Sequence, residues 1–410
     1  MERVLVIGSG GREHALVDAF LKSTTVEEVF CCPGNAGIAQ DVTCFDVDML
    51  DFEAIRKIVK EHKISLVFVG PEMPLSQGIV DALEKDVIIF GPNQKAAQVE
   101  ASKAFAKDIM HRYHIPTATY HVVHNQKEAL DVLAQNPAPI VIKADGLMAG
   151  KGVVVAQSKE EAKEAILNLF PTTDIEGQCV IEECLIGEEF SLMNLVHEDK
   201  IIPLPVARDH KRAYDNDEGP NTGGMGAFCP DPNVSEEDIQ ITLDTIVKPM
   251  AKAMIQEGVP FTGVLYAGLM KTAKGIYTIE FNARFGDPET EVILPRVKTN
   301  LDKLIHATLN KEAIEVEIDD KAACAIVMAS RGYPGATETK AEIKGLEGIK
   351  TYHMGTSMIN GVLTNTGGRV LSVLGFGDSA KEARENAYQS IKQIDAPQLF
   401  YRNDIGKSIK

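Results

Sequence analysis

The 410-residue sequence has no tryptophan, no cysteine pair with CxxC spacing and no uninterrupted apolar run of about 18 residues. Without such a run, neither a membrane-spanning helix nor a membrane partner is expected. The seven cysteines are scattered, which argues against a zinc site or a disulfide framework and favours a reducing compartment. No basic segment followed by a long apolar one lies near Met1, so no secretory signal is predicted and a cytoplasmic location is expected.

Positive charge is also scarce. The chain has 42 lysine and arginine residues against 59 aspartate and glutamate residues, which gives a net charge of -17. Because a nucleic-acid-binding protein needs a basic face to meet the phosphates, no nucleic-acid partner is expected. An anionic small molecule would have to be bound by local positive charge.

The pattern of apolar residues predicts more than one domain, as the length does. Short apolar runs at 3–7, 28–32, 65–70 and 87–90 alternate with helical patterns, which predicts a doubly wound parallel sheet. A small α+β lid follows, with strands at 116–123, 139–144 and 152–156, then a helical segment at 235–258 that Pro249 should kink, and a hairpin at 261–282. The remainder is β-rich and ends in a helix at 379–394. We therefore predict an α/β and α+β multidomain chain, divided into 1–102, 103–318 with the lid at about 116–188, and a small C-terminal domain at 319–410.

The first loop runs from a predicted strand into a helix through Gly10, Gly11, Arg12 and Glu13. Free backbone N–H groups at a helix N-terminus suit a phosphate, and Arg12 adds a guanidinium. The dinucleotide fingerprint needs a small residue where Glu13 stands, so a nicotinamide site is disfavoured. A plain tight turn with Arg12 in solvent is the alternative.

Two further loops follow predicted strands of the same sheet and carry Asn35, Gly37 and Glu72. Ligands of open α/β sheets bind beyond the carboxyl ends of the strands. Glu72 could there hold sugar hydroxyls. Each loop is equally well interpreted as a simple turn.

Lys143 stands on an apolar strand, and a turn with Gly146, Gly150, Lys151 and Gly152 follows. A buried lysine is costly unless it meets an anion, and a mobile turn can close over phosphates and exclude water. The segment is not a Walker loop, because no Ser or Thr follows the Lys-Gly pair and the turn enters a strand. A strand-turn-strand without function is the alternative.

Acidic residues mark two more segments. Glu182 and Glu183 leave one strand and Glu189 enters the next, where carboxylates can accept ribose hydroxyls, although exposed glutamate pairs are common. On a strand at 275–282, alternation sends Glu280 and Asn282 to one face and points Ile279 and Phe281 into the core.

An adjacent carboxylate and amide oxygen suit Mg²⁺, which takes few protein ligands plus phosphates. Arg284 follows directly and could bind a carboxylate with two hydrogen bonds beside that metal. A structural cluster of ion pairs is the alternative interpretation.

The segments 284–289, 10–15, 219–227 and 209–212 closely resemble the phosphoribosylamine-glycine ligase family of the ATP-grasp superfamily. The resemblance spans essentially the whole chain. It implies an ATP-grasp fold with a mobile lid, and an ADP-forming ligase that joins glycine to 5-phosphoribosylamine through glycyl phosphate in de novo purine biosynthesis. It further implies ATP and Mg²⁺ or Mn²⁺ as cofactors, small-molecule substrates only and a monomer. The N-terminal domain would bind the substrate amine.

The resemblance also implies roles for individual residues. Lys103 and Lys143 would hold ATP phosphates under the turn at 146–152, Glu183 and Leu185 would frame the adenine beside Glu182, and Glu189 would bind ribose. Glu280 and Asn282 would be the metal ligands, and Arg284, with Lys143 and Asp287, would act on glycine and its acyl phosphate. Lys211, Asp215 and Asn221 would border the substrates. Met148 and Glu291 depart from the alanine and glutamine usual in the family.

Three other functions stay open at this point. The chain could be another ATP-grasp ligase or a carboxylase acting on a purine precursor, for which bicarbonate in place of glycine is the test. It could be a non-catalytic nucleotide sensor, which would bind ATP without turnover. A nicotinamide oxidoreductase would change NADH absorbance with a ketone.

Overall fold

The computed structural model describes residues 1–147, 152–173 and 175–407. The N-terminal elements are β1 (Glu2–Gly8), α1 (Gly11–Leu21), β2 (Val26–Pro33), α2 (Ile38–Asp41), β3 (Thr43–Cys44), α3 (Phe52–Glu61), β4 (Leu66–Val69), α4 (Glu72–Ser76), α5 (Ile79–Leu83), β5 (Ile88–Phe90) and α6 (Gln98–Ala101). The strands form one parallel sheet in the order β3-β2-β1-β4-β5. Alternation along β1 sends Val4 and Val6 to the core beside α1, and Leu5 and Ile7 to a separate core beside α3. The predicted doubly wound parallel sheet is confirmed.

The next part is a four-stranded antiparallel sheet covered by two helices. The helix α7 (Lys103–Arg112) precedes this part and packs in a different core. The sheet and its two helices are β6 (Tyr120–Asn125), α8 (Gln126–Gln135), β7 (Ile140–Ala144), β8 (Val153–Ala156), α9 (Lys159–Leu169) and β9 (Glu176–Glu183), with strand order β6-β9-β7-β8. Ser158 caps α9 by accepting a hydrogen bond from the backbone N–H of Glu161. We call this sheet with α8 and α9 the lid layer. Its core is separate from the other cores and includes Leu133, Ile142 and Ile166. The first strand begins at Tyr120 and not at the predicted residue 116.

A second antiparallel sheet, the central sheet, follows the lid layer in the chain. Its strands are β10 (Gly187–His197), β11 (Lys200–Pro203), β16 (Thr262–Thr272) and β17 (Gly275–Asn282), in the order β11-β10-β16-β17. The helices that follow the chain here are α10 (Glu236–Thr242), α11 (Lys248–Gln256), α12 (Thr290–Ile293) and α13 (Leu301–Leu309). A π turn at Leu243–Val247 interrupts the predicted helical segment, and Pro249 stands in the first turn of α11, where its missing N–H is tolerated.

A β-bulge corrects one prediction about β17. Gly268 pairs with Glu280 and Leu269 with Thr278, so Ile279 lacks a cross-strand partner and the alternation shifts there. Thr278 and Phe281 are buried, whereas Ile279 is half-buried and lines a cavity. The prediction that Ile279 points into the core is therefore wrong.

The C-terminal sheet takes strands from two parts of the chain. It contains β12 (Arg208–Asp209), β15 (Gly226–Cys229), β18 (Ala322–Ser330), β19 (Thr351–His353), β22 (Arg369–Gly377) and β23 (Leu399–Phe400), and α14 (Ala380–Ile391) packs on it. Two hairpins form separate two-stranded sheets: β13–β14 (Arg212–Tyr214 and Glu218–Asn221) and β20–β21 (Thr356–Ile359 and Val362–Asn365). Because β15 pairs with β18, the segment that precedes α10 is joined to this sheet. The predicted domain boundaries at 102 and 318 stay predictions.

Within the described ranges, no helix has both the length and the apolar character needed to cross a membrane.

Candidate active site

One cavity of about 990 Å³ lies where the N-terminal sheet, the lid layer, the central sheet and the C-terminal sheet meet. Its size suits a nucleotide together with a second small molecule. The predicted site residues that line it are Arg12, Glu72, Lys103, Lys143, Gly146, Gly152, Glu182, Glu183, Leu185, Glu189, Lys211, Asn221, Glu280, Asn282, Arg284 and Asp287. Residues far apart in sequence therefore share one site.

Gly10, Gly11 and Glu13 lie outside this lining. Glu13 is 1% exposed, and its carboxylate accepts hydrogen bonds of 2.5 Å from the Gly10 N–H and from Arg12 Nε. A Cβ at Gly8 or Gly70 would collide with the Glu13 side chain. Because each oxygen of its carboxylate accepts a hydrogen bond, Glu13 holds the first loop in place and orients the Arg12 guanidinium.

Asn35 and Gly37 also lie outside the cavity lining. The Asn35 side chain donates 2.8 Å hydrogen bonds to the carbonyls of Ser9 and His353 and accepts from the Gly37 N–H at 2.9 Å. A Cβ on Gly37 would meet the His353 ring. These two residues join the N-terminal loops to the C-terminal sheet.

Asp215 is the last predicted residue placed elsewhere. Its carboxylate accepts hydrogen bonds from the backbone and side-chain nitrogens of Asn403, at 2.7 and 3.0 Å. Gly150 and Lys151, together with Met148, lie outside the described residues.

Two buried lysines share one carboxylate in the lid layer. Glu182 Oε2 lies 3.0 Å from both Lys143 Nζ and Lys107 Nζ, and all three side chains are almost completely buried. Lys143 also donates to the carbonyl of Ile279 at 3.1 Å, which the bulge in β17 makes available. Burial lowers the pKa of Lys107 to about 8, although Glu182 opposes that shift. Two ammonium groups on one carboxylate leave a positive site for an anion.

Lys107 was missed by the sequence analysis. It stands four residues after Lys103 on α7, a spacing that places both lysines on one helix face, and this signal could have found it. Lys103 Nζ donates to the Gly146 carbonyl at 2.9 Å, so α7 holds the start of the glycine turn.

Glu280 and Asn282 both face the cavity from β17. Burial alone would raise the pKa of Glu280, but Lys211, Lys143 and Lys103 lower it below its usual value, so this carboxylate is ionised at neutral pH. Two oxygen ligands fit a hard divalent cation that completes its shell with phosphates and water. Among the residues that the structure describes, no group of three or more His, Cys, Asp or Glu side chains is arranged to hold a metal, at this position or at any other.

Arg284 is held by two carboxylates. Its Nη2 lies 2.8 Å from Glu100 Oε1, its Nε lies 3.3 Å from Glu72 Oε2, and Nη2 also donates to Asn282 Oδ1 at 3.3 Å. Burial raises the pKa of Glu100 to about 6 although Arg284 opposes that shift. The guanidinium is thereby fixed beside the candidate metal ligands. No local pattern identifies Glu100, because only the fold brings it to Arg284.

Asp287 connects the site to the C-terminal sheet. Its Oδ1 lies 2.9 Å from Arg369 Nη1, and its Oδ2 accepts a 3.3 Å hydrogen bond from the Arg12 N–H. Arg369 lines the cavity and also donates to the Asp287 carbonyl at 2.7 Å. Arg369 was not predicted as a site residue, because no local sequence pattern marks it.

A fourth ion-pair group in the cavity lining contains Lys211. Lys211 Nζ is 3.2 Å from Glu189 Oε2. Burial raises the pKa of the neighbouring Asp209 to about 7, against the opposing effect of Lys211. Asp209 belongs to one of the segments that carry the family resemblance, yet it was not predicted as a site residue.

Comparisons with known proteins cover nearly the whole chain. Models of the phosphoribosylglycinamide synthetase N domain, ATP-grasp (A) domain and C domain match residues 2–100, 101–290 and 323–408. The phosphoribosylamine–glycine ligase of Halalkalibacterium halodurans is 46% identical over 411 residues, covering 98% of this chain and 96% of the relative. The ligase of that name from Lactococcus lactis subsp. lactis is 46% identical over 410 residues, covering 98% and 99%.

A solved structure agrees with these matches. The crystal structure of phosphoribosylamine–glycine ligase from Thermotoga maritima is 35% identical, with a TM-score of 0.87, and covers 98% of this chain and 100% of its own. The similarity in sequence and the similarity in fold each extend over 98% of this chain. The chain therefore belongs to the phosphoribosylglycinamide synthetase family.

Proposed function

We propose that this chain is an ATP-dependent ligase that joins glycine to 5-phosphoribosylamine and releases ADP and phosphate, as a step of purine biosynthesis. The observation that carries the proposal is one cavity holding the Lys107–Glu182–Lys143 group, Glu280 and Arg284, in a chain 46% identical to phosphoribosylamine–glycine ligases. These side chains supply what carboxylate activation by ATP needs: charge for phosphates, ligands for a metal and a guanidinium for a carboxylate.

In the first step, a carboxylate oxygen of glycine attacks the γ-phosphorus of ATP. The new O–P bond replaces the bond between the γ-phosphorus and the oxygen that bridges it to the β-phosphate, so glycyl phosphate and ADP form. Lys143 and Lys103 offset the charge on the transferring group, and Arg284 holds the carboxylate in line. Glu280 and Asn282 would hold Mg²⁺ or Mn²⁺, which supplies further charge neutralisation at the phosphates.

In the second step, the amine of 5-phosphoribosylamine attacks the acyl carbon and phosphate leaves. The amine loses a proton as the amide forms, and the departing phosphate can accept it. Neither step requires a covalent bond to the protein. Arg12 would bind the sugar phosphate, with Asn221 and Lys211 of the same cavity lining. The glycine turn would close over the phosphates and keep water from glycyl phosphate.

The finer assignments belong to the same proposal. Residues 1–102 would bind the amine substrate, residues 103–318 would bind ATP through the lid at about 116–188, and residues 319–410 would complete the cavity. Glu183 and Leu185 would frame the adenine and Glu189 would bind its ribose. We propose a monomer that acts in the cytoplasm.

The test is release of ADP from MgATP, followed through a coupled assay with glycine and freshly formed 5-phosphoribosylamine. Release should require both co-substrates. Formation of AMP and pyrophosphate, or activity with bicarbonate in place of glycine, would overturn the mechanism. ATP binding without any turnover would indicate a nucleotide sensor instead.

A further inference from the structure

The C-terminal tail, defined here as residues 401–407, returns from β23 to the wall of the cavity. The helix α14 anchors it from one side. Arg384 donates to the carbonyls of Ile405 and Asn403 at 2.7 and 2.9 Å, and the Tyr388 hydroxyl donates to the Arg402 carbonyl at 2.7 Å. The tail is therefore anchored to α14 and can support the residues that it contacts.

Arg402 is the centre of this tail. Its side chain is 1% exposed, and Nε and Nη2 each donate to one oxygen of Asp404 at 2.8 Å. Its Nη1 donates to the Arg212 carbonyl at 3.0 Å and lies 2.9 Å from Asp217 Oδ1. Arg212 and Asp217 both line the cavity, whereas Arg402 stands behind them.

The turn between β13 and β14 has an unusual backbone. Asn216 and Asp217 have φ values of 60° and 54°, a left-handed conformation that Asn and Asp adopt more readily than other residues with side chains and that contacts from the surroundings stabilise here. The surroundings here are the tail. Asp404 Oδ2 accepts from the Asn216 N–H at 2.7 Å, and Asn403 donates twice to the Asp215 carboxylate.

A second cavity segment depends on the same tail. The N–H of Gly406 donates to His210 Nε2 at 3.3 Å, which defines Nε2 as the unprotonated nitrogen of a neutral ring. His210 lies between Asp209 and Lys211, and all three line the cavity. The tail thus contacts the chain on both sides of Lys211 and the turn that leads into β14, the strand that ends at Asn221.

We propose that Arg402 is a positioning residue of the ligase reaction, which through Asp404, Asp217 and the Arg212 carbonyl sets the cavity wall at 209–221 for the glycine or 5-phosphoribosylamine substrate. The inference rests on the proposed function. Lys103 and Lys143, proposed for the ATP phosphates, lie on α7 and β7, away from the tail. Loss of the guanidinium should therefore affect the amine or glycine site more than nucleotide binding.

The experiment compares Arg402→Met with Arg402→Lys and with the control Arg331→Met. Arg331 also donates to a backbone carbonyl of the C-terminal part, that of Pro397 at 2.9 Å, but touches neither the tail nor the wall. Arg402→Met should raise the KM for glycine or 5-phosphoribosylamine about tenfold, with kcat and calorimetric affinity for MgADP changed by less than about threefold. Arg402→Lys should be intermediate, because an ammonium cannot make the two-point contact with Asp404.

Hydrogen exchange of residues 209–221 gives a readout independent of turnover. Exchange there should rise in Arg402→Met and stay unchanged in Arg331→Met. If Arg402→Met folds with wild-type exchange and wild-type KM values, the inference is wrong. If it does not fold, Asp404→Asn, which removes charge from the same contacts, is read by the same criteria. Failure of the wild-type chain to use glycine would instead refute the proposed function.

Discussion

Lys107 is buried beside two other charged groups, and the reason such an arrangement is stable bears on ATP binding. Glu182 offsets one positive charge of the two lysines, and the Thr117 hydroxyl accepts from Lys107 Nζ at 2.7 Å. One excess positive charge is left in a poorly solvated site. A phosphate would neutralise it, so the group is ready for an anion before the anion arrives.

Replacing Lys107 tests this at the scale of one residue. In Lys107→Met, Glu182 and Lys143 form a neutral pair, so the KM for ATP should rise about tenfold while the thermal midpoint changes little. Lys107→Arg, which keeps the charge, should retain more of the affinity. Steady-state kinetics measures the KM for ATP of each variant, and nucleotide titration by calorimetry measures its affinity. An unchanged KM in Lys107→Met would show that the charge at this position does not act on ATP.

Glu280 offers a sharper residue-scale test, since its pKa is lowered by the surrounding lysines and it is ionised at neutral pH. Glu280→Gln keeps the shape but removes the negative charge proposed to bind the metal. Turnover should fall at least about 100-fold with little change in the thermal midpoint. Glu257→Gln, on an exposed ion pair with Arg112, is the control and should keep full activity. Wild-type turnover in Glu280→Gln would remove the metal assignment.

At the scale of elements, the bulge in β17 and the independent core of the lid layer matter most. The bulge turns the Ile279 carbonyl toward Lys143 and so ties β7 to β17 across the cavity. The lid has its own core, with Ile142 and Ile166 completely buried, so we expect this layer to open as a unit without opening its neighbours.

The core of the lid can be weakened separately. Ile166→Ala removes buried methyl groups and should destabilise the layer by about 3 kcal/mol, whereas Ile166→Val should cost about 1 kcal/mol. Hydrogen exchange should increase within residues 120–183 and stay at the wild-type rate in β1, β2 and β22. The KM for ATP should rise in Ile166→Ala, because a partly unfolded lid positions Lys143 poorly. Equal loss of protection throughout the chain would show that the lid is not an independent unit.

At the scale of the whole molecule, the N-terminal loops and the C-terminal sheet are joined by a histidine pair. The His353 N–H donates to His14 Nδ1 at 2.9 Å, so His14 Nε2 carries the proton that faces Asp41, 3.2 Å away. His353 Nδ1 lies 3.0 Å from the Thr356 hydroxyl. This junction fixes the first loop relative to Arg369, which completes the cavity.

The junction predicts a pH dependence of stability. Burial lowers the pKa of His353 to about 4, and burial likewise lowers the pKa of His210 to about 4, from an ordinary value of 6.5. Since the unfolded chain binds more protons between those values, each histidine contributes stability that is present above pH about 6.5 and lost as the pH falls toward about 4, up to about 3 kcal/mol each.

The measurement compares thermal midpoints at pH 7.5 and 5.0. His353→Gln should show a smaller decrease on acidification than the wild type. Glu100 and Asp209, whose pKa values are raised to about 6 and about 7, contribute in the opposite sense, so the difference between the two proteins is the relevant quantity. His62→Gln, at a position without this junction, should follow the wild type. An identical decrease in His353→Gln would contradict the assignment.

Local patterns were enough to find part of the site. A lysine on an apolar strand, a glycine turn, two oxygen ligands two residues apart and a following arginine identified Lys143, Glu280, Asn282 and Arg284 as site candidates, and all four line the cavity. The parallel sheet followed equally from short apolar runs separated by helical patterns. Such features are encoded by neighbours in sequence, whose spacing sets the face on which a side chain lies.

Only the tertiary structure decided which loop residues face the cavity. Asn35 and Asp215 were predicted at the substrate, but contacts with His353 and Asn403, 318 and 188 residues away, direct them elsewhere. Glu100 and Arg369 entered the site through contacts with Arg284 and Asp287, 184 and 82 residues away. The sequence by itself determined the periodic elements and the charged groups that need a partner. The fold alone selected each partner, because the free energy of a buried charge depends on neighbours that folding brings from other parts of the chain.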